Sequence, residues 1–222
     1  MARNDTVPSQ RAWARIAGLM YWAVLVVDLT GMQLRSPAGS RSLMLAGSLL
    51  TVPLALGLYF TVRPVQYTLA VSALGFRLTE AVLGIISTMA GFAGVKAALS
   101  HSVLGGALLE IARWDDATAF AAFVFTIGST IFFYLFEKSH YIPRVLAWWG
   151  LFASVVAMAA CFTHVLRPAF PAMTMYAWLP MLLAETSTGL WLLIKSVHVK
   201  NLNTGETMST ERSRAVREQM LY

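Results

Sequence analysis

"PRVLAWWGLFASVVAMAACFTHV" (residues 143–165) carries one Arg or Lys, Arg144, near its start and then runs on without another formal charge. A helix needs about 20 mostly apolar residues to cross a bilayer, and this stretch supplies them. It does not alternate apolar with polar residues, as a membrane-barrel strand of about 10 residues would. Five further segments pass the same test, roughly 13–34, 42–62, 67–95, 117–136 and 174–197. The expectation is an all-α integral membrane bundle of six transmembrane helices.

The composition agrees. Of 222 residues, 57% are apolar and 13% charged, and the mean hydropathy is +0.62. Soluble domains carry about 25% charged residues, so this chain lacks the charge to build a water-facing surface. The lipid bilayer is its expected partner. The net charge is +6 and the pI 9.8, but the basic residues sit at the ends of apolar runs. They form no stripe interleaved with exposed aromatics, so nucleic acid is not an expected partner. The lone cysteine, Cys161, lies inside an apolar run. It has no partner for an internal disulfide and no Cys or His near it at metal-ligand spacing, and it reads as a small buried hydrophobe.

Arg3, Arg11 and Arg15 precede the first apolar segment, as they would in a signal peptide. That segment exceeds the about 7–15 residues of a signal core and no small-residue cleavage site follows, so it reads as a retained helix. With the N-terminus inside, eleven Lys and Arg residues fall on the cytoplasmic side, five fall outside, and Arg77 stays within the membrane. The positive-inside rule then places both termini in the cytoplasm of a cell inner (plasma) membrane protein. Residues 1–12 read as a cytoplasmic N-terminus, 13–198 as the six-helix domain and 199–222 as a polar cytoplasmic tail. "VRPVQ" (62–66) and "KSHYIPR" (138–144) read as tight cytoplasmic turns, in which Pro64 or Pro143 opens the next helix. "SVLGGALLEIARW" (102–114) reads as a short interfacial helix between helices 3 and 4, with Trp114 at headgroup level.

Charge inside the membrane carries the functional question. "GFRLTEAV" (75–82) places Arg77 and Glu80 within an apolar span, and Asp28 and Glu185 lie in two others. A charge at the bilayer centre costs at least about 2.5–3.5 kcal/mol, so such groups turn inward and pair. A rise of about 1.5 Å per residue sets Arg77 about 15 Å, Glu80 about 20 Å and Asp28 about 22 Å above the cytoplasmic face. Glu185 falls about 16 Å below the outer face of a core roughly 30 Å thick. Four ionisable groups on three helices thus reach a common layer.

On helix 3, spacings of three and four bring Arg77, Glu80, Ala81, Gly84, Ser87, Thr88 and Gly91 onto one face. The small residues allow close helix approach, while Leu78, Val82, Ile85, Ile86 and Met89 suit lipid. Three carboxylates against one guanidinium imply that a carboxylate holds a proton, or that a cation or water enters. In helix 6, Pro180 frees a carbonyl and favours a kink near Glu185, which Thr186, Ser187, Thr188 and Gly189 follow.

No cofactor and no metal site are expected. His101, His140, His164 and His198 fall near span ends, and no two share a helix at i,i+4, which disfavours bis-His haem and intramembrane zinc. No G-x-S-x-G motif or paired Ser-His arrangement points to catalysis.

"ARIAGLMYW" (14–22), "VRPVQYTLAVSALGFRLTEAVLG" (62–84), "IPRVLAWWG" (142–150) and "LPMLLAETSTGLWLLIKSV" (179–197) together resemble the bacterial multi-pass membrane family catalogued as domain of unknown function 4386. The resemblance covers most of residues 12–198. It implies a bacterial inner-membrane helical protein in which Arg77 and Glu185 correspond to recurring polar positions. The 35–41 stretch is shorter than that family's usual outer loop. The family brings no activity with it.

Two readings of the charged layer follow. In the first, the protein binds a small or lipid-like ligand or passes it in a proton-linked manner. Arg77 then holds an anionic group or the carboxylates, Glu80, Glu185 and Asp28 exchange protons or set selectivity, and Ser87, Thr88, Thr186 and Ser187 give polar support. In the second, the protein is a structural or accessory subunit of a larger membrane complex, and the charges lock helix register. An intramembrane enzyme acting on lipid or quinone is a third class, requiring a water-accessible cavity at Glu185 or Asp28. Oligomeric state is not legible in the sequence.

Overall fold

A computed structural model of the chain describes residues 9–98, 117–166 and 171–197. Six helices run through them: α1 (Gln10–Gln33), α2 (Pro37–Val62), α3 (Tyr67–Ala98), α4 (Ala117–Ser139), α5 (Arg144–Leu166) and α6 (Pro171–Ile194). Each is long and apolar enough to cross a membrane, and no strand occurs among the described residues. The chain is a multi-pass membrane protein, and its described residues cross as helices alone. The interfacial helix expected at 102–114, the tail at 199–222 and residues 1–8 lie outside the described residues.

Capping, more than hydropathy, decides where the first helices start. Ser9 accepts the Ala12 N–H at 3.4 Å, so α1 begins at Gln10 rather than at 13. Ser36 accepts the Gly39 N–H at 3.3 Å and Pro37 occupies a first-turn position that needs no N–H partner. Consequently α2 begins five residues before the expected 42. His140 (φ 59°) ends α4 and Ser196 (φ 55°) follows α6, each in the left-handed conformation that terminates helices. Pro64 sits in the turn rather than opening α3, whereas Pro143 directly precedes α5 and its carbonyl accepts the N–H groups of Leu146 and Ala147.

Three hydrogen bonds gather one end of the bundle. Gln10 Nε2 donates to the Thr61 carbonyl at 2.6 Å. Lys138 Nζ donates to Gln66 Oε1 at 3.0 Å. Ser196 Oγ donates to the Arg11 carbonyl at 3.0 Å. The start of α1, the end of α6 and the α2–α3 and α4–α5 turns therefore share one end of the bundle, as an even number of crossings requires.

The helices form a closed ring. Each packs on its neighbours in the chain, and α6 returns onto α1. A contact between α2 and α4 also draws α4 inward. Its most apolar window is 56% buried, against 22% for α1 and α3, so α4 forms the inner wall with Phe132, Phe133, Leu135 and Phe136. Hydrophobic burial gives little drive between helices in lipid, so close van der Waals packing at small residues takes over. Gly150 of α5 shows it: a Cβ there would lie 2.1 Å from the Phe133 ring of α4. Exposed Val82, Ile86 and Met89 on α3, with Leu183, Leu190 and Ile194 on α6, turn apolar surface outward, where acyl chains meet it.

Candidate functional site

One turn of α3 sets the core of the site. Arg77 and Glu80 stand three residues apart, with Nη1 and Oε2 at 3.1 Å. The helix carries its small residues on this side, and Ala81 and Gly91 are buried with Arg77. Arg77 is only 3% exposed, whereas Glu80 is 22% exposed.

The ring around it supplies the walls. From α4, the Phe125 ring lies under the guanidinium, with Cζ 4.6 Å from the ring centroid, a cation–π arrangement. Trp178 of α6 tilts against the same ring at 5.6 Å. Gly128, one turn further along α4, has its Cβ position 3.4 Å from Arg77 Cγ. The aliphatic stem of Arg77 thus crosses the helix where no side chain obstructs it.

Acidic and phenolic groups come from two more helices. Glu185 of α6 and Tyr21 of α1 both lie within electrostatic range of the Arg77 guanidinium. Tyr21 is held by Gly189, whose Cβ position is 2.8 Å from Tyr21 Cβ, one turn from Glu185. Asp28, further along α1, is in electrostatic range of both Glu80 and Glu185. Its carboxylate rests on α2, where Oδ1 lies 2.0 Å from the Cβ position of Gly47. The structure therefore brings Arg77, Glu80 and Glu185 together, with Asp28 at the margin. No hydrogen bond joins Arg77 to Glu185 among the described residues.

Several polar atoms here have no hydrogen-bond partner among the described residues. They are Arg77 Nε and Nη1, Glu80 Oε2, Glu185 Oε1 and Thr188 Oγ1, all buried. The 3.1 Å approach of Nη1 to Oε2 is an ion pair by distance, yet the N–H is not aimed at the oxygen, so both atoms keep their directional capacity. Among the described residues, no three of His, Cys, Asp and Glu gather as a metal-binding group.

The expected supporting hydroxyls fare unevenly. Thr88 donates to the Gly84 carbonyl at 2.8 Å and Thr186 donates to the Leu182 carbonyl, so both satisfy their own helices. Ser87 is half-buried and Ser187 is exposed. The expectation for Ser187 is thereby corrected: α6 turns it outward and buries its neighbour Thr188 completely. Tyr21 and Phe125 join the site as residues that sequence reading had not assigned to it, and Thr188, noted in the sequence only beside the Pro180 kink, joins them.

An interior guanidinium facing carboxylates from its own and a second helix, enclosed by six apolar crossings, defines a membrane bundle with a polar centre. The chain belongs to the family described as domain of unknown function DUF4386, whose model matches residues 40–196. The match includes Arg77, Glu80 and Glu185 but begins inside α2, so "ARIAGLMYW", Tyr21 and Asp28 fall outside it. No curated protein and no solved structure matches the chain.

Proposed function

We propose that this protein binds a small or lipid-like ligand, or passes it in a proton-linked manner, at the cluster of Arg77, Glu80, Glu185 and Asp28. The observation that carries the reading is the open hydrogen-bonding capacity of a guanidinium that is 3% exposed. An unmet buried polar group costs about 1–3 kcal/mol, and more when charged. A partner from outside the chain offsets that cost. Intramembrane ionisable groups of this kind mark ligand and ion pathways in general.

The second reading, a structural or accessory subunit of a larger complex, draws support from the packing of Arg77 itself. Its stem lies over Gly128 and its head over Phe125, an arrangement that would also fix the register of α3 against α4. We place the protein in a bacterial inner membrane with both termini cytoplasmic. The excess of Lys and Arg on one side supports that orientation.

Arg77→Gln separates the two readings. Under the first, the variant purifies as a folded bundle and loses the small molecules that accompany the wild type, as read by mass spectrometry of extracts. A variant that unfolds in detergent while the wild type carries nothing would favour the structural subunit.

A further inference from the structure

We infer that the ligand of this site presents an uncharged head that both donates and accepts hydrogen bonds, such as a hydroxyl or primary amide. The inference rests on the binding reading above and narrows it. The open atoms are of two kinds. Arg77 Nε and Nη1 are donors, Glu80 Oε2 and Glu185 Oε1 are carboxylate oxygens, and Thr188 Oγ1 can act either way.

An anionic head offers acceptors alone. It would answer Arg77 but leave the carboxylate oxygens unmet, and it would add negative charge beside Glu80 and Glu185. An ammonium head offers donors alone. It would answer the carboxylates, leave Arg77 Nε unmet, and stand close to a guanidinium. Charge in a low-dielectric interior interacts strongly. An anionic head adds to the excess of carboxylates. A cationic head is not called for once Asp28 and Glu185 hold protons, which leaves Arg77 balanced by Glu80 at 3.1 Å. A neutral donor–acceptor head completes both sets without adding charge. Phe125, with Trp178 tilted against it, lines the guanidinium with apolar side chains. Of the two roles the sequence suggested for Arg77, holding an anionic group or the carboxylates, the 3.1 Å pair with Glu80 fits the second, and the proposed ligand is neutral.

Such a head can arrive on an acyl chain from the bilayer or as a small solute from water. The full chain in lipid nanodiscs is titrated with four probes of one chain length: oleyl alcohol, oleamide, oleate and oleylamine. Glycerol and acetamide test the aqueous source by competition and by swelling of proteoliposomes. Bound probe is counted by native mass spectrometry.

Expected is saturable binding of oleyl alcohol or oleamide, or of glycerol or acetamide if the source is water, at least tenfold tighter than oleate or oleylamine. Thr188→Val and Arg77→Gln should each weaken it about tenfold, the value of one strong hydrogen bond. Glu185→Gln, which removes a carboxylate, should shift preference toward oleate, an effect that helix packing alone would not produce. Tightest Arg77-dependent binding of oleate or oleylamine by the wild type overturns the neutral head and leaves the binding reading intact. Saturation by none of the six probes overturns both. Thr188→Val keeps the test decisive if Arg77→Gln does not fold.

Discussion

Gly18 of α1 faces Gly189 of α6 so closely that a Cβ on Gly18 would lie 2.7 Å from the Gly189 carbonyl oxygen and 2.6 Å from the Leu193 nitrogen. Both obstacles are backbone, which cannot rotate aside. This contact closes the ring and seats Tyr21 beside Glu185. Gly18→Ala should therefore destabilise the bundle by about 1–3 kcal/mol, the usual cost of overpacking. Gly75→Ala, where a Cβ meets nothing within 4 Å, should be tolerated. Thermal unfolding of the two variants in detergent, followed by tryptophan fluorescence, checks the contrast, and equal stability of the two would refute a tight α1–α6 seam.

The Phe125 ring under Arg77 makes a different demand. Replacing it with leucine keeps an apolar side chain of moderate size but removes the aromatic face. Cation–π contacts contribute about 0.5–2 kcal/mol depending on solvation. A double-mutant cycle of Phe125→Leu with Arg77→Met should return a coupling energy of that size, since residues in contact do not act additively. A coupling indistinguishable from zero would mean that Phe125 only fills space.

How much of this was legible in the sequence follows from what each residue's neighbours reveal. Arg77 and Glu80 turn inward as their spacing and the small residues of α3 require, and exposed Val82, Ile86 and Met89 show the lipid side as expected. Tyr21 left a usable signal: it precedes Asp28 by seven residues, two turns along the same face. Phe125 left none, being one of twelve phenylalanines in a chain where any of them suits an apolar helix. Ser187 and Thr188 show the limit best. Adjacent hydroxyls point about 100° apart on a helix, and which one is buried depends on how α6 rotates against α1. That rotation is set by Gly18 and Gly189, a contact between residues 171 positions apart.

Orientation has its own measurement. Arg35 and Lys138 are both exposed and lie at opposite ends of the bundle, and Cys161 is buried, so background thiol labelling should be low. With cytoplasmic termini, Arg35→Cys should react with a membrane-impermeant maleimide in intact spheroplasts. Lys138→Cys should react only after lysis. The reverse pattern would invert the topology.

Asp28 rests where α2 has no side chain, with Oδ1 inside the space a Gly47 Cβ would take. The blocking atom is the end of a short side chain, which can swing away, so Gly47→Ala should fold with a cost of about 1 kcal/mol or less. The carboxylate itself should move, and labelling of Asp28 by a hydrophobic carbodiimide, read by peptide mass spectrometry, should change at least severalfold. Unchanged labelling would mean that Asp28 does not occupy this niche.

Thr188 gives the sharpest test of whether the polar centre awaits a partner. Its side chain is 0% exposed and its Oγ1 has no hydrogen-bond partner among the described residues. Valine has nearly the same shape without the hydroxyl. Removing an unmet buried polar group relieves a desolvation penalty of about 1–3 kcal/mol. Thr188→Val should thus leave the ligand-free protein as stable as the wild type or more so, while weakening binding. A purely structural threonine would give the opposite result, a loss of stability in the ligand-free protein. Ser187→Ala, on the exposed side of α6, should change neither quantity, which separates a change in the centre from one in α6 as a whole.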